Sequence, residues 1–158
     1  MKCLSLWQPW ATLIAIGAKK YETRHWSTNY RGPLLIHAAK TEEEAGVCFT
    51  PFFREALKAA DYHRFSELPR GEVVALVELA DIIKVEMVRD HLSDAERAFG
   101  NYADGRYAWQ LAHVSRVENA LVRGAQGLFD AELPVGYVIH AEAYTPEVAH
   151  QPYQMRMF

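Results

Sequence analysis

The longest β-branched run of the chain, residues 72–85, is the feature that most constrains its fold. It reads EVVALVELADIIKV, and such residues favour a packed, pleated strand over a helix. We expect a central strand that bends near Ala80 and Asp81. Glu78 interrupts the apolar pattern: its carboxylate either faces outward, the commoner arrangement, or points into a cavity. The run therefore predicts a sheet with one long, bent strand in its middle.

Shorter elements surround this strand. From apolar patterning and turn signals we predict strands over residues 4–6, 21–24, 34–38, 107–111, 117–122 and 135–139. From capping boxes, Pro9 and helix-ending glycines we predict helices over residues 9–17, 41–46, 51–61 and 93–99. In the helix over 51–61, the expected apolar side consists of Phe52, Ala56, Leu57 and Ala60. Short strands interrupted by short helices indicate an α+β fold around a curled sheet or barrel.

Length and composition bound the organisation of the chain. Half of its 158 residues are hydrophobic, so it can bury a core, and we expect a single domain over residues 1–158. Within that domain we expect a helical insert at about residues 41–66 and a C-terminal extension at about residues 133–158.

Charge and cysteine content exclude several classes of protein. The formal net charge is −3, which disfavours non-specific binding around duplex nucleic acid. Any contact with nucleic acid must then be made by a local basic patch. Cys3 and Cys48 form no C-x-x-C pair, which argues against a disulfide framework, a zinc ribbon or a redox motif. No segment approaches the roughly 20 apolar residues that span a bilayer. We expect a soluble, unprocessed cytoplasmic protein with no membrane contact.

The segment over residues 17–26 concentrates charged and aromatic side chains. Strand alternation places Glu22 and Arg24 on one face, with Lys19 just before them. Such a pair is often a solvated, weak ion pair. Trp7, Trp10, His25 and Trp26 flank the same run, and solvated faces seldom carry so many stacking groups. The pattern therefore favours a ligand pocket over a solvated face.

Two later segments are predicted to form a second wall of this pocket. Tyr107 and Trp109 share one strand face with Leu111, an arrangement typical of core residues, with a pocket wall for a flat ring as the alternative. Arg106, just before them, is placed to meet a phosphate. Residues 123–129 are punctuated by glycine, so their backbone can approach a ligand closely. His37, in the strand over 34–38, has the features of a hydrogen-bonded core histidine, and we assign it no role.

The opening stretch resembles the ASCH domain family (activating signal cointegrator homology), which belongs to the PUA-like RNA-binding folds. The family motif G-x-K-x-x-E-x-R stands here as Gly17, Lys19, Glu22 and Arg24. The segments G-R-Y-A-W over residues 105–109 and R-G-x-Q-G-L over residues 123–128 also look like those of the longer bacterial and phage-type members. The resemblance implies an α+β, PUA-like β-barrel (a mixed curled sheet) flanked by short helices, with a cleft that holds RNA or a nucleotide.

The resemblance also implies roles for individual residues. Lys19 and Arg24 would meet phosphate or a carbonyl, aromatic rings would stack on a base, and Glu22 would accept from a base amino group or hold the two cations in place. The expected ligand-binding residues are Trp7, Gln8, Pro9, Trp10, Lys19, Glu22, Arg24, Arg106, Tyr107, Gln126 and Gly127. We expect single-stranded or modified RNA or its nucleotides as the partner, with no cofactor and no metal ligands.

A hydrolase is the alternative function. Some family members remove the acyl group of N4-acetylcytidine with a lysine, a threonine and a glutamate, and others have been described as ribonucleases. Here Lys19 matches the family lysine, but Glu22 occupies the position of the nucleophilic threonine. In an enzyme, Lys19 and Glu22 would be the catalytic residues, with Glu22 activating a water molecule.

Overall fold

The structure, a computed structural model, describes residues 1–139. Its strands are β1 (Lys2–Leu6), β2 (Tyr21–Arg24), β3 (Gly32–Ala38), β4 (Glu72–Lys84), β5 (Tyr107–Leu121) and β6 (Leu128–Asp130). Its α-helices are α1 (Trp10–Ala15), α2 (Pro51–Ala59) and α3 (Asp94–Ala98). Short 3₁₀ turns lie at Ala45–Phe49, Phe65–Glu67, Val85–Met87 and Arg89–His91.

All six strands belong to one mixed, curled sheet that forms a half-barrel, in the order β2-β5-β4-β3-β1-β6. The pair β1 and β3 is parallel, and the other neighbours are antiparallel. The α+β fold with a curled mixed sheet, as expected from the sequence, is confirmed. The parallel pair has a consequence for the site, because it sets Ser5 directly beside His37.

The long central strand is β4, as predicted, and it is irregular where a bend was expected. Its register with β5 shifts between Leu79 and Asp81, so an extra residue enters there as in a β-bulge, which bends a strand and increases its twist.

The two predicted strands over residues 107–111 and 117–122 are one strand, β5. The prediction separated them because the stretch between them is polar. In the structure β5 pairs with β4 along its whole length. Its register shifts around His113, whose φ is 49°. The bulge turns polar side chains such as His113 and Arg116 outward, which is why the sequence resembles a loop there.

Three other local predictions were wrong. The Thr41 hydroxyl accepts from the amide of Glu43 at 3.3 Å, so it closes a local turn instead of capping a helix over 41–46. Helix α2 buries Phe53 and Leu57 and leaves Phe52 exposed. Residues 135–139 form a turn instead of a strand, because the amide of Tyr137 bonds the carbonyl of Pro134 at 3.0 Å. The part of the predicted C-terminal extension after residue 139 lies outside the described residues.

The main core lies between α1 and the concave sheet, where Ile14 and Ala11 pack against the inward side chains of β3, β4 and β5. A second cluster joins α1 to the predicted helical insert through Leu13, Phe53 and Phe99. Glu78 is buried: it is 8% exposed, and its Oε2 has no hydrogen-bond partner among the described residues. The favoured expectation of an outward carboxylate was therefore wrong, because the pleat of β4 is buried on both sides at this point.

Candidate functional site

Two cavities adjoin and share one wall. The larger measures about 1150 Å³ and the smaller about 440 Å³. Both are lined by Ser5, Trp7, Arg24 and His25. These shared residues come from the end of β1 and the end of β2, so the cavities form where the two strands of the motif segment finish.

The smaller cavity contains the carboxylate of the motif. Glu22 Oε1 lies 3.4 Å from Arg24 Nε, and Glu22 Oε2 lies 3.7 Å from Lys19 Nζ. Both Glu22 Oε2 and Arg24 Nε are buried and lack a hydrogen-bond partner. A buried polar atom without a partner is costly, so the two atoms indicate a place where a ligand or water group completes the bonding.

Lys19 is almost fully buried and does not line either cavity. It is 1% exposed, and its ammonium donates to the carbonyl oxygen of Phe99 at 3.0 Å. The same carbonyl accepts from Trp10 Nε1 at 2.9 Å. Lys19 thus supports Glu22 from inside the protein, while Glu22 and Arg24 face the cavity.

The positions of α3 and of the segment after it explain how this cavity is closed. Ser93 caps α3 by accepting from the amide of Glu96 at 3.1 Å. The Glu96 carboxylate accepts from the amides of Lys20 and Tyr21, which ties α3 to the start of β2. Arg106 completes the wall, because it donates to the carbonyls of Asn101 and Thr23 at 3.0 and 3.2 Å.

Beside this wall, the phenol of Tyr102 is held in its protonated form. Its pKa is raised, first by burial and then by the charges of Glu96 and Glu22. Its hydroxyl oxygen is buried without a hydrogen-bond partner. Tyr102 is therefore uncharged at neutral pH and adds no negative charge to a region that already contains the carboxylates of Glu96 and Glu22.

The larger cavity is lined by basic side chains. These are Arg24, His25, Lys40 and Arg123, and none of the residues described along its wall is acidic. Trp7, at the border of the two cavities, is 43% exposed and offers a flat apolar surface. The cavity is thus a cationic concave surface with an aromatic edge on a protein of net charge −3.

The sequence-predicted residues fall into three groups in space. Trp7, Trp10, Glu22, Arg24 and Arg106 line the smaller cavity. The larger cavity brings in Gln126 and Gly127, beside Trp7 and Arg24.

The third group, formed by Gln8, Pro9, Lys19 and Tyr107, lines neither cavity. Gln8 is buried and bonds Thr12 and the carbonyl of Pro69, and Pro9 is buried at the start of α1. Tyr107 packs beside Trp109, which is fully buried. The core interpretation of Trp109 is therefore confirmed.

Sequence reasoning missed Ser5 and Lys40 and left His37 without a role. His37 is buried, yet it borders the larger cavity together with both of them. Burial lowers the pKa of His37 below its ordinary value of 6.5, so the ring is neutral at pH 7. The available signal was a polar residue within an otherwise apolar run, Ser5 in residues 3–6 of β1 and His37 in β3.

Neither a metal-binding cluster nor a membrane-spanning helix is found in the part of the chain that the structure describes. Within residues 1–139, no group of three or more His, Cys, Asp or Glu side chains is arranged to hold a metal ion. None of the helices in this part of the chain has the length and apolar character needed to cross a membrane.

The curled six-stranded mixed sheet with short marginal helices defines a PUA-like domain, a class of RNA-binding folds. Residues 4–121 match the family model of the ASCH domain, and the chain belongs to that family. Activating signal cointegrator 1 of Homo sapiens is 32% identical over 93 residues, which are 58% of this chain and 16% of the relative. The Mus musculus protein of the same name is 31% identical over 93 residues, with the same coverage. The match thus spans less than a fifth of these relatives.

Proposed function

We propose that this ASCH domain binds single-stranded or modified RNA, or its nucleotides, in the two adjoining cavities. The observation that carries the proposal is the charge of the larger cavity, whose described wall has basic side chains and no carboxylate. Phosphate oxygens are the natural partners of such a surface. The whole chain is acidic, so this local reversal of sign supports a specific anionic ligand instead of general attraction to nucleic acid.

An exposed aromatic at the border supports a single strand over a duplex. Bases that are splayed out of a single strand stack on aromatic side chains, whereas the bases of a duplex are already stacked on one another. Trp7 is exposed and lines both cavities. A nucleotide with its base on Trp7 would have its phosphates within the cationic cavity and its base edge near the unpartnered atoms of Glu22 and Arg24.

The test is the affinity of a fluorescently labelled, short single-stranded RNA, measured by anisotropy at several salt concentrations. The variant is Lys40→Ala combined with Arg123→Ala. Both side chains are exposed, and neither makes a hydrogen bond or ion pair within residues 1–139, so the fold is left intact. Since each phosphate contact on a single strand contributes about 0.7 to the slope of log affinity against log salt, the slope should fall by about 1.4.

The matched control is Lys84→Ala, which removes an exposed cation of β4 that lines neither cavity. It should bind as the parent does. Equal affinity and equal salt slope for the parent and the double variant would show that the larger cavity does not hold phosphate.

A hydrolase of RNA or of an acylated nucleoside is the second candidate, and Glu22 is the observation that favours it. Its Oε2 is buried at the smaller cavity without a hydrogen-bond partner and lies 3.7 Å from the Lys19 ammonium. A carboxylate in this position can take a proton from a water molecule whose oxygen attacks the substrate.

Incubation with N4-acetylcytidine and with a labelled RNA, with and without EDTA, tests this candidate. Turnover that is lost in Glu22→Gln would support it. Retained RNA binding without turnover of either substrate would refute it and leave the binding function standing.

A further inference from the structure

A separate cavity lies in the helical insert and shares no lining residue with the two cavities described above. It measures about 230 Å³ and is formed by the 3₁₀ turn over Ala45–Phe49, by α2 and by residues 62–68. A cavity of about 150 Å³ is large enough to hold benzene. The cavity of the insert therefore has room for one aromatic or aliphatic side chain.

The floor of this cavity is apolar. Leu57, Leu68 and Cys48 are buried there, and Phe65 is partly buried beside them. All four belong to the cluster that joins α1 to the insert. A nucleobase on such a floor would leave polar edge atoms without hydrogen-bond partners, which is costly, whereas an apolar side chain has no such atoms. The floor thus fits the side chain of phenylalanine or leucine better than a base.

Phe49 extends the apolar surface outward from the cavity. It lines the cavity and is nevertheless 71% exposed, so most of its ring is in contact with solvent. An exposed apolar group beside a cavity and surrounded by polar residues is typical of an interaction site. Phe49 is therefore placed to contact a group that enters the cavity.

The rim of the cavity is basic, and none of the residues described along it is acidic. The basic residues are Arg54, Lys58, His63 and Arg64. Two of them already have partners, because His63 Nε2 lies 2.8 Å from Asp61 Oδ1 and Arg64 Nε lies 3.3 Å from Glu67 Oε1. The charge available to a ligand is therefore that of the other two.

Arg54 and Lys58 lie one turn apart on the same side of α2. Both are exposed, and neither side chain makes a hydrogen bond or an ion pair within residues 1–139. Two cations without partners beside an apolar floor favour a ligand that carries carboxylates next to an apolar group. This charge pattern determines the chemistry of the partner.

We propose that this face of the insert is a docking surface for an acidic segment of a partner protein, which places one phenylalanine or leucine side chain in the cavity. The buried side chain supplies most of the binding energy, as anchors in well-packed pockets do. Arg54 and Lys58 pair with carboxylates on either side of it and select the partner. The inference does not depend on the proposed RNA binding, because the two surfaces have no lining residue in common.

The experiment begins with a phage-displayed library of random peptides, selected on the immobilised full chain. Enriched peptides should carry one large apolar side chain flanked by aspartate or glutamate. A fluorescently labelled copy of the most enriched peptide then gives affinities by anisotropy. The absence of enrichment over a surface without the protein, or enrichment of peptides without acidic residues, would overturn the inference.

Two pairs of cations locate the peptide. Arg54→Ala combined with Lys58→Ala should weaken its binding by about two- to thirtyfold, since two exposed ion pairs are lost, and added salt should reduce the difference. The matched control is Lys40→Ala combined with Arg123→Ala, which removes two exposed cations of the larger cavity and should leave the affinity for the peptide unchanged. The reverse pattern would place the peptide in the larger cavity and overturn the inference.

Two phenylalanines test the apolar contact. Phe49→Ala should weaken peptide binding by about two- to tenfold, the range expected for one aromatic contact. The matched control is Phe52→Ala, because Phe52 is 41% exposed and does not line the cavity. Equal effects of the two substitutions, or no effect of either, would contradict the assigned surface. Circular dichroism checks that each variant keeps the fold.

The same variants distinguish other occupants of the surface. The affinity for single-stranded RNA should be equal in the parent and in the variant that lacks Arg54 and Lys58, since neither lines the two RNA-binding cavities. Weaker RNA binding in that variant would assign the surface to nucleic acid. A concentration-dependent dimer in sedimentation experiments that disappears in the variant would assign it to a second copy of the chain. Either result would overturn this inference, whereas failure of the parent to bind RNA would refute only the proposed function.

Discussion

Lys19→Met is a direct test of how the motif is built, because it removes a buried charge and keeps the length of the side chain. In the parent, the ammonium is 1% exposed. It donates to the carbonyl of Phe99 at 3.0 Å and lies 3.7 Å from Glu22 Oε2. The substitution leaves that carbonyl with only its bond from Trp10 and leaves Glu22 with Arg24 as its remaining cation.

The magnitude follows from this geometry. Two unit charges 3.7 Å apart attract by about 4 kcal/mol at an effective dielectric constant of about 20, before the cost of desolvation is subtracted. Removal of one partner of a buried pair typically costs about 3–5 kcal/mol, because the other charge stays buried. For a chain of this length each kcal/mol lowers Tm by about 2–4 °C, so we expect a fall of roughly 6 to 20 °C.

The assays are thermal unfolding, which gives Tm, and urea unfolding, which gives the free energy, both followed by circular dichroism, with Lys20→Met as the matched control. Lys20 is the adjacent lysine and is exposed, so its substitution should change the free energy of unfolding by less than about 0.5 kcal/mol. Glu22→Gln combined with Lys19→Met should cost less than the sum of the two single changes, by about 0.5–3 kcal/mol. Equal stability of the two lysine variants, or strict additivity, would refute the buried-pair account.

Three further predictions concern single side chains. Because the pKa of His37 is lowered in the folded state, the unfolded chain binds the proton more readily, and the folded state loses stability as pH falls below about 6.5. His37→Gln should therefore flatten the dependence of the free energy of unfolding on pH below that value, and an unchanged dependence would contradict the lowered pKa. Burial raises the pKa of the Cys3 thiol to about 12, so a thiol reagent at pH 8 should modify it only after unfolding, and rapid labelling of the native protein would be contrary evidence. Ser93→Ala removes the N-cap of α3 and should cost about 1 kcal/mol by urea unfolding, whereas no loss would show that Glu96 alone holds the helix.

The features that sequence could predict are those that local pattern determines. The β-branched run specifies β4 because its propensity and burial agree along its length. Strand alternation placed Glu22 and Arg24 on one face, and the structure shows both at the same cavity. Gly17 ends α1 with a φ of 80°, a conformation that glycine adopts without strain.

The features that sequence could not predict depend on depth and on distant register. Strand alternation predicts which face a side chain lies on but not how deeply it is buried. Nothing in the motif therefore indicated that Lys19 is buried and donates to the carbonyl of Phe99. Ser5 and His37 meet because two strands far apart in the chain pair in parallel. A hydroxyl can accept a hydrogen bond in a local turn or at the start of a helix. The same capping-box pattern therefore occurs in a turn without a helix at Thr41 and at the capped start of α3 at Ser93.

The most direct test of the central claim is a crystal structure of the protein with a short single-stranded RNA bound. We expect a base on the exposed face of Trp7, phosphates beside Arg24, Lys40 and Arg123, and a base edge near Glu22. RNA bound at another surface, with both cavities unoccupied, would contradict the claim.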